Sequence, residues 1–247
     1  MEEGKVTVRA VERALDILLC FTDANELTLT EIAVRVGLHK STVYRLLASL
    51  EHKGFVIRDA ESEKYKLGFR LWELSANLSQ ADDPAVVLLP EMERLRDMIG
   101  ETISLYVRDG HERIRIQAVQ SSQAIRRVAP VGVRLPLYVG ASSKVLVAYA
   151  DAEDRESLFS SPTWPVSIDQ EAYERQLADI RASGFATSVE EREPGAAAVA
   201  APILNRSGSM VAVLSVSGPA NRLTVDKMKE HAAAIKDAAA RMGKMVK

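Results

Sequence analysis

The residues of this sequence best suited to chemistry fall on one helical face: Ser41, Arg45, Ala48 and His52, with Tyr44 and Ser49 at its edges. Hydroxyls, one guanidinium and small side chains suit a helix that enters the DNA major groove and hydrogen-bonds base edges. Val43, Leu46, Leu47 and Leu50 recur at helical spacing behind them and supply an apolar back. Arg45 is the expected base-reading residue, with Lys40, Ser41, Thr42 and Tyr44 beside it in the groove. Most amphipathic helices simply show their polar face to water, so the elements around this one decide its reading.

Catalysis would need a convergent nucleophile, base or metal set. The four histidines, His39, His52, His111 and His231, have no metal-ligand partner at helical or hairpin spacing, and there is no phosphate-binding glycine loop. Ser142 and Lys144 lack the three-residue step of the Ser-x-x-Lys nucleophile motif. The expectation is a protein that is not an enzyme, with no catalytic residue, no metal and no cofactor. A winged helix that binds only protein is the remaining alternative, and it predicts no salt-dependent DNA affinity. The single cysteine, Cys20, excludes an internal disulfide and reads as a small core residue among Leu18, Leu19 and Phe21. An acidic N-terminus without a signal-peptide core, and no apolar run of membrane-spanning length, fit a cytoplasmic protein.

The elements that would position the polar face read as a winged helix-turn-helix. Val8 to Thr22 is a first helix with Val11, Leu15, Leu18 and Thr22 on one face. Thr28 and Glu31 form a capping box that opens a second helix, and Gly37 ends it. The third runs from about His39 to Lys53 and stops at Gly54. Val56–Arg58 and Lys64–Leu67 flank a polar turn as a charged hairpin, the wing. Net charge is −2, so DNA binding must rest on local charge. Arg9, Arg13, Lys40, Arg45, Arg58, Lys64 and Lys66 are the candidate cations, with Glu12, Glu51, Glu61 and Glu63 close in sequence. Arg9 and Arg13 read equally well as phosphate contacts and as solvated surface arginines.

Leu71, Leu74 and Leu78 mark a linker helix over Phe69–Leu78, and the polar break Ser79–Asp83 before Pro84 is the natural domain boundary. The domains expected are 1–67, 68–82 for the linker helix, and 83–247. Beyond it a helix runs from Pro84 to Ile99. Thr102–Val107 and Arg113–Val119 form a hairpin about Asp109-Gly110, with the strand arginines and Gln117 on its outer, solvated face. Ile125–Val139 reads as a strand broken at Pro130 and Pro136, followed by helices over Ala141–Ala150, Asp151–Phe159 and Glu171–Ser183. Phe185–Val189, Ala196–Leu204 and Met210–Ser217 read as strands, and a last helix starts near Thr224. Hairpins with helices placed between and after them predict an α+β domain on a mainly antiparallel sheet. Gly140-Ala141-Ser142-Ser143-Lys144 joins a strand to a helix; on spacing alone Ser142 caps that helix, and an anion at the helix N-terminus is the alternative.

At 247 residues, 47% hydrophobic and 27% charged, the chain suits a two-domain globular protein. Phe21, TLTEIAVRVGLHKSTVYRLLASLEHKGFVIRD and YKLGFRLWEL, with the later blocks GVRLPLYVGASSKVLVAYA and EREPGAAAVAAPILNRSGSMVAVLSVSGP, resemble the IclR family of bacterial transcription regulators. The resemblance runs from about Val8 to Lys244. It implies a winged helix-turn-helix joined by a linker helix to a GAF-like α+β effector domain. It also implies a ligand-responsive regulator, a repressor by the family's commoner habit, of a catabolic or metabolic operon. The implied partners are double-stranded operator DNA, a small organic effector such as a carboxylate or aromatic acid, and a second copy in a homodimer or dimer of dimers. Carried over by position, the effector pocket comprises Leu135, Ala141, Ser142, Ser188, Ala196, Ala198, Ser215 and Ser217. Ser143, Ser188 and Ala198 depart from common family residues, so the effector does not carry over, and Ala196–Ala198 leave room for a larger or more apolar ligand. His39 stands where the family often has proline and is not a base-reading candidate.

Overall fold

The computed structural model describes residues 7–76, 83–126, 128 and 130–246. It divides into two compact units, 1–80 and 81–247.

In the first unit, α1 (Arg9–Leu19) passes into a 3-10 turn (Cys20–Thr22) and is followed by α2 (Leu29–Arg35), α3 (Lys40–His52), β1 (Val56–Arg58), β2 (Tyr65–Leu67) and α4 (Phe69–Ala76). Both halves of the capping box form: Thr28 Oγ1 accepts from Glu31 N (3.2 Å) and Glu31 Oε2 accepts from Thr28 N (2.7 Å). Gly37 and Gly54 take positive φ after α2 and α3, where a Cβ would be strained. Ile17, Ile32, Val43, Leu47 and Val56 are fully enclosed. At roughly 1.5–3 kcal/mol for each large aliphatic side chain buried, Val43 and Leu47 fix the rotation of α3 and hence the direction of its outer face.

The expected apolar face of α1 is corrected. Ile17 with the half-buried Leu18 forms the inward side, while Val8, Val11, Leu15 and Leu19 are exposed. These four are spaced to share one side of a helix, which no described residue buries. On α4, Phe69, Trp72 and Leu74 are also exposed; Leu78 lies outside the described residues.

The second unit contains α5 (Pro84–Val87), α6 (Leu89–Ile99), β3 (Thr102–Asp109), β4 (Glu112–Val119), β5 (Arg134–Pro136), α7 (Ala141–Ala148), α8 (Ala152–Phe159), α9 (Gln170–Ser183), β6 (Ala186–Val189), β7 (Ala196–Leu204), β8 (Met210–Pro219) and α10 (Val225–Met245). The single helix expected from Pro84 to Ile99 is interrupted at Leu88, because Pro90 has no N–H to continue the ladder and starts a new first turn. The strand expected over Ile125–Val139 is reduced, among the described residues, to Arg134–Pro136.

The six strands form one antiparallel sheet in the order β5-β4-β3-β8-β7-β6. Helices cover both faces. Ile103, Leu105, Val199, Ile203, Leu214 and Val216 belong to a core with Met92 and Leu95 of α6 and Met228, Ile235 and Met242 of α10. Tyr106, Ala200 and Val213 point the other way, to a core with Val145 and Leu146 of α7 and Leu177 and Ile180 of α9. Period-two alternation therefore sends every second side chain of the inner strands into one core or the other.

Candidate nucleic-acid interface and ligand cavity

On α3, Ser41, Tyr44, Arg45, Ala48, Ser49 and His52 are all exposed, and Thr42 is half-buried. His39 is the N-cap; its Nδ1 accepts from Ser41 N (3.3 Å) and lies 2.8 Å from Ser41 Oγ. It caps the start of the helix. Among the described residues, Arg9, Arg13, Lys40 and Arg45 have no ion-pair partner.

The wing cations differ. Arg58 pairs with Glu63 at 2.8 Å, and Lys64 and Lys66 both reach Glu26, the second at 3.4 Å. Lys64, ahead of Lys66, holds the Glu26 carboxyl below the ordinary carboxylate range, and Glu26 in turn raises Lys64. Local sequence reading singled out Glu12, Glu51, Glu61 and Glu63, and missed Glu26, whose single carboxylate is shared by two of the three wing cations. Cys20 is buried, its Sγ 3.3 Å from the Asp16 carbonyl, and burial raises its thiol pKa.

In the second unit a small cavity of about 50 Å³ is lined by Tyr106, Arg113, Arg115, Gly140, Ala141, Ser142, Ser188, Arg192, Glu193, Ala196, Ala197, Ala198, Ser215 and Ser217. Seven of the eight expected pocket residues thus surround one space. Leu135 does not line it; it sits on β5 opposite Arg113.

The structure overturns the solvated reading of the β4 arginines. Arg113 and Arg115 are 4% and 3% exposed and point into this cavity, because the face opposite one core of the sheet is itself roofed by α7. Gln117 is sent to the other face. The register skips Ile116 between the pairs Leu105↔Gln117 and Tyr106↔Arg115, and the amide of Gln117 reaches the Ala85 carbonyl at 2.9 Å. The expected roominess is also corrected: Tyr106 and the two guanidiniums occupy the space that the small side chains of β7 leave.

Arg113 Nη1 donates to the carbonyls of Val139 (2.7 Å) and Pro136 (3.1 Å). Gly140 has φ +95°, and a Cβ there would lie 3.3 Å from Arg113 Nη2, so glycine lets the guanidinium lie against the turn into α7. Arg115 Nε donates to Tyr106 Oη (2.9 Å), its Nη2 to the same oxygen, and its Nη1 to the Pro130 carbonyl (3.2 Å). Both guanidiniums lie over the Tyr106 ring, at 5.4 and 5.0 Å. No carboxylate among the described residues pairs with Arg115.

Ser142 does not cap α7. The N-cap is Gly140 and no side chain caps the helix; Ser142 is buried against the cavity, and Ser143 Oγ donates to Pro136 O at 2.8 Å. Lys144 is buried and pairs with Glu191, which also accepts from Gly140 N (3.2 Å). Tyr173, packed edge-on to Trp164 and Phe159, has no hydrogen-bond partner for its hydroxyl, and burial raises its pKa strongly. Among the described residues no cluster of three metal-ligating side chains exists, and no helix is long and apolar enough to cross a membrane.

Comparison with known proteins covers both units. A family model described as the IclR helix-turn-helix domain matches residues 10–60, and one described as the bacterial transcriptional regulator IclR C-terminal domain matches 81–243. The HTH-type transcriptional regulator KdgR of Escherichia coli is 32% identical over 238 residues, covering 94% of this chain and 90% of the relative. A crystal structure of an IclR transcriptional regulator from Alicyclobacillus acidocaldarius superposes with a TM-score of 0.81 at 29% identity, covering 98% of this chain and all of that one. An IclR homologue from Microbacterium hydrocarbonoxydans, solved in complex with 4-hydroxybenzoate, superposes at 0.78 with 30% identity, covering 94% and 99%.

Proposed function

The chain belongs to the IclR family of bacterial transcriptional regulators, and we propose that it represses a metabolic operon until a small organic anion enters the cavity lined by Arg113 and Arg115. DNA binding and effector binding as such are the family's activities. The anionic character of the effector is our reading, and the buried guanidinium of Arg115, which pairs with no carboxylate among the described residues, carries it. An ion held out of water without a counter-charge costs several kcal/mol, and an entering carboxylate removes that cost. The uncapped N-terminus of α7 adds backbone amides suited to the same charge.

On the DNA side, Arg45 reads a base edge, and Lys40, Ser41, Thr42 and Tyr44 share the groove. Arg9 and Arg13, without an ion-pair partner among the described residues, hold phosphates. Arg58 and Lys64 join them only by giving up Glu63 and Glu26. We propose a homodimer as the working unit: the exposed Val8, Val11, Leu15 and Leu19 of α1, and Phe69 and Trp72 of α4, are covered by a second copy. Two recognition helices then meet major grooves about 34–36 Å apart, or a multiple of that. The domains are 1–67 for the winged helix, 68–82 for the linker, whose last residues lie outside the described set, and 83–247 for the effector domain. The effector acts by linkage, binding one arrangement of the dimer better than another.

Selection of bound fragments from a random duplex library, followed by footprinting, tests the reading. A protected, pseudo-palindromic site with half-sites one turn or a multiple apart supports it; salt-insensitive binding without any preferred site contradicts it.

A further inference from the structure

We infer that the second unit carries a second ligand site, a groove between the ends of β7 and α10 that takes an amphipathic monocarboxylate, an acid head on an apolar tail. The groove shares no lining residue with the cavity at Arg115, and the inference does not depend on that cavity being the effector site. Its volume is about 490 Å³, within the range of small-molecule sites and about ten times that of the cavity. The space exists because β6 is short. β6 reaches no further along β7 than Ala200, so residues 201–204 have no strand beside them on that edge. The last turns of α10 flank the edge instead. A Cβ on Gly243 would overlap the Leu204 carbonyl, so glycine lets the helix back onto the strand end.

Pro202, Leu204, Ala240 and the Tyr149 side chain give the groove a mostly apolar lining. Its charged lining is cationic: Arg206 from the β7–β8 turn and Lys236 and Lys244 from α10, with no aspartate or glutamate among the described residues. Lys236, Ala240 and Lys244 are four residues apart and share one side of the helix. Lys236 is already held by the Ser183 carbonyl (3.1 Å) and lies over the Phe185 ring. Arg206 and Lys244 are exposed and have no ion-pair partner among the described residues, so they are the cations left for a guest. The lining also selects the kind of guest. An added β-strand is disfavoured, because Pro202 has no N–H to offer it. An inorganic anion would leave the apolar lining in water. A carboxylate with an apolar tail meets both the charge and the floor. Surface cations that serve solubility alone, with Lys244 also meeting the C-terminal dipole of α10, predict no affinity for any acid.

The test is calorimetric titration of the full-length chain, in low-salt buffer, with octanoate below its micellar concentration, and with 1-octanol and acetate for comparison. Octanoate is expected to bind, with octanol weaker by about tenfold, the value of one charge-assisted contact. Acetate should be weaker by about a hundredfold or more for want of the tail. Arg206→Ala combined with Lys244→Ala should bring octanoate to within about twofold of octanol, and Ala240→Trp, which fills the groove, should abolish the binding of both. These three positions are exposed, and an unchanged melting transition checks the fold of each variant. Arg115→Met, in the other cavity, should leave octanoate affinity as it is. Octanoate binding that survives the groove variants and falls with Arg115→Met overturns the groove and leaves the effector site standing. Octanol binding as tightly as octanoate overturns the role of the cations, and failure of octanoate to bind overturns the site.

Discussion

Replacing Arg115 with Met separates a ligand-binding guanidinium from a structural strut, because the two roles predict opposite signs for stability. Arg115 is 3% exposed, without a carboxylate partner among the described residues. Withdrawing such an ion from water costs several kcal/mol even after relaxation. Its contacts with the Tyr106 hydroxyl and the Pro130 carbonyl return roughly 1.5–3 kcal/mol each, so the two sides nearly cancel. Met fills similar volume without the charge. The groups it abandons are easily satisfied: Pro130 is exposed and its carbonyl regains water, and the Tyr106 hydroxyl borders the cavity. The expected net is a gain of about 1–2 kcal/mol, within the range for buried ions replaced by apolar side chains. At about 2–4 °C per kcal/mol for a chain of this size, the unliganded second unit should melt roughly 2–8 °C higher, and the stabilisation conferred by an anion should disappear. Differential scanning calorimetry of the full-length chain, with and without an anion that raises the wild-type transition, measures both. A transition lowered by more than about 3 °C, with the anion response intact, would refute the reasoning and make Arg115 a strut.

Three further outcomes are expected. Arg45→Ala removes an exposed arginine without an ion-pair partner among the described residues and should weaken operator binding roughly 5- to 100-fold; unchanged anisotropy titrations at fixed salt, with the fold intact, would rule Arg45 out of the groove. Glu26→Gln frees Lys64 and Lys66, and if the wing meets phosphates the slope of log affinity against log salt should steepen by about 0.9 for each lysine recruited; an unaltered slope removes the wing from the contact. Tyr173 carries a hydroxyl whose folded-state pKa burial raises above its ordinary value of 10.0, so the stability it contributes is intact below pH 10 and is lost as pH climbs above it. Tyr173→Phe should therefore flatten the fall in urea midpoint above pH 10, with a residue left by Tyr65 and Tyr149, whose hydroxyls are also raised by burial; a fall as steep as wild type contradicts this. At neutral pH the same variant should cost little, since the hydroxyl it removes has no partner.

The winged helix was legible because its signals are local. The capping box spans four residues, each glycine stop follows its helix within two residues, and the apolar positions of α3 repeat within four turns. The direction of α1 was not legible. Val8, Val11, Leu15 and Leu19 make as good an apolar stripe as any inward face, and only Ile17 packed under α3 shows which side this chain buries. The β4 arginines were misread for a related reason. Alternation correctly set them opposite Ile114, but in a sheet covered on both faces the side opposite one core is another core. The bulge at Ile116, which parts Gln117 from the arginines, leaves no mark in the hydrophobic pattern. Glu26 escaped because it lies 38 residues from Lys64, and only the fold brings the two together. The pocket positions taken from the family resemblance came together around one cavity, Leu135 excepted; the arginines that give that cavity its charge had no counterpart in the resemblance.

The central claim is that charge in the cavity and grip on DNA are thermodynamically linked. The direct measurement is a double titration: operator affinity with and without a saturating anion that binds the cavity, and affinity for that anion with and without operator. The account predicts that both affinities change by the same factor, about 5–150-fold for couplings of 1–3 kcal/mol, and that Arg115→Gln reduces both together. An anion that binds the wild-type chain while operator affinity stays unchanged would contradict it.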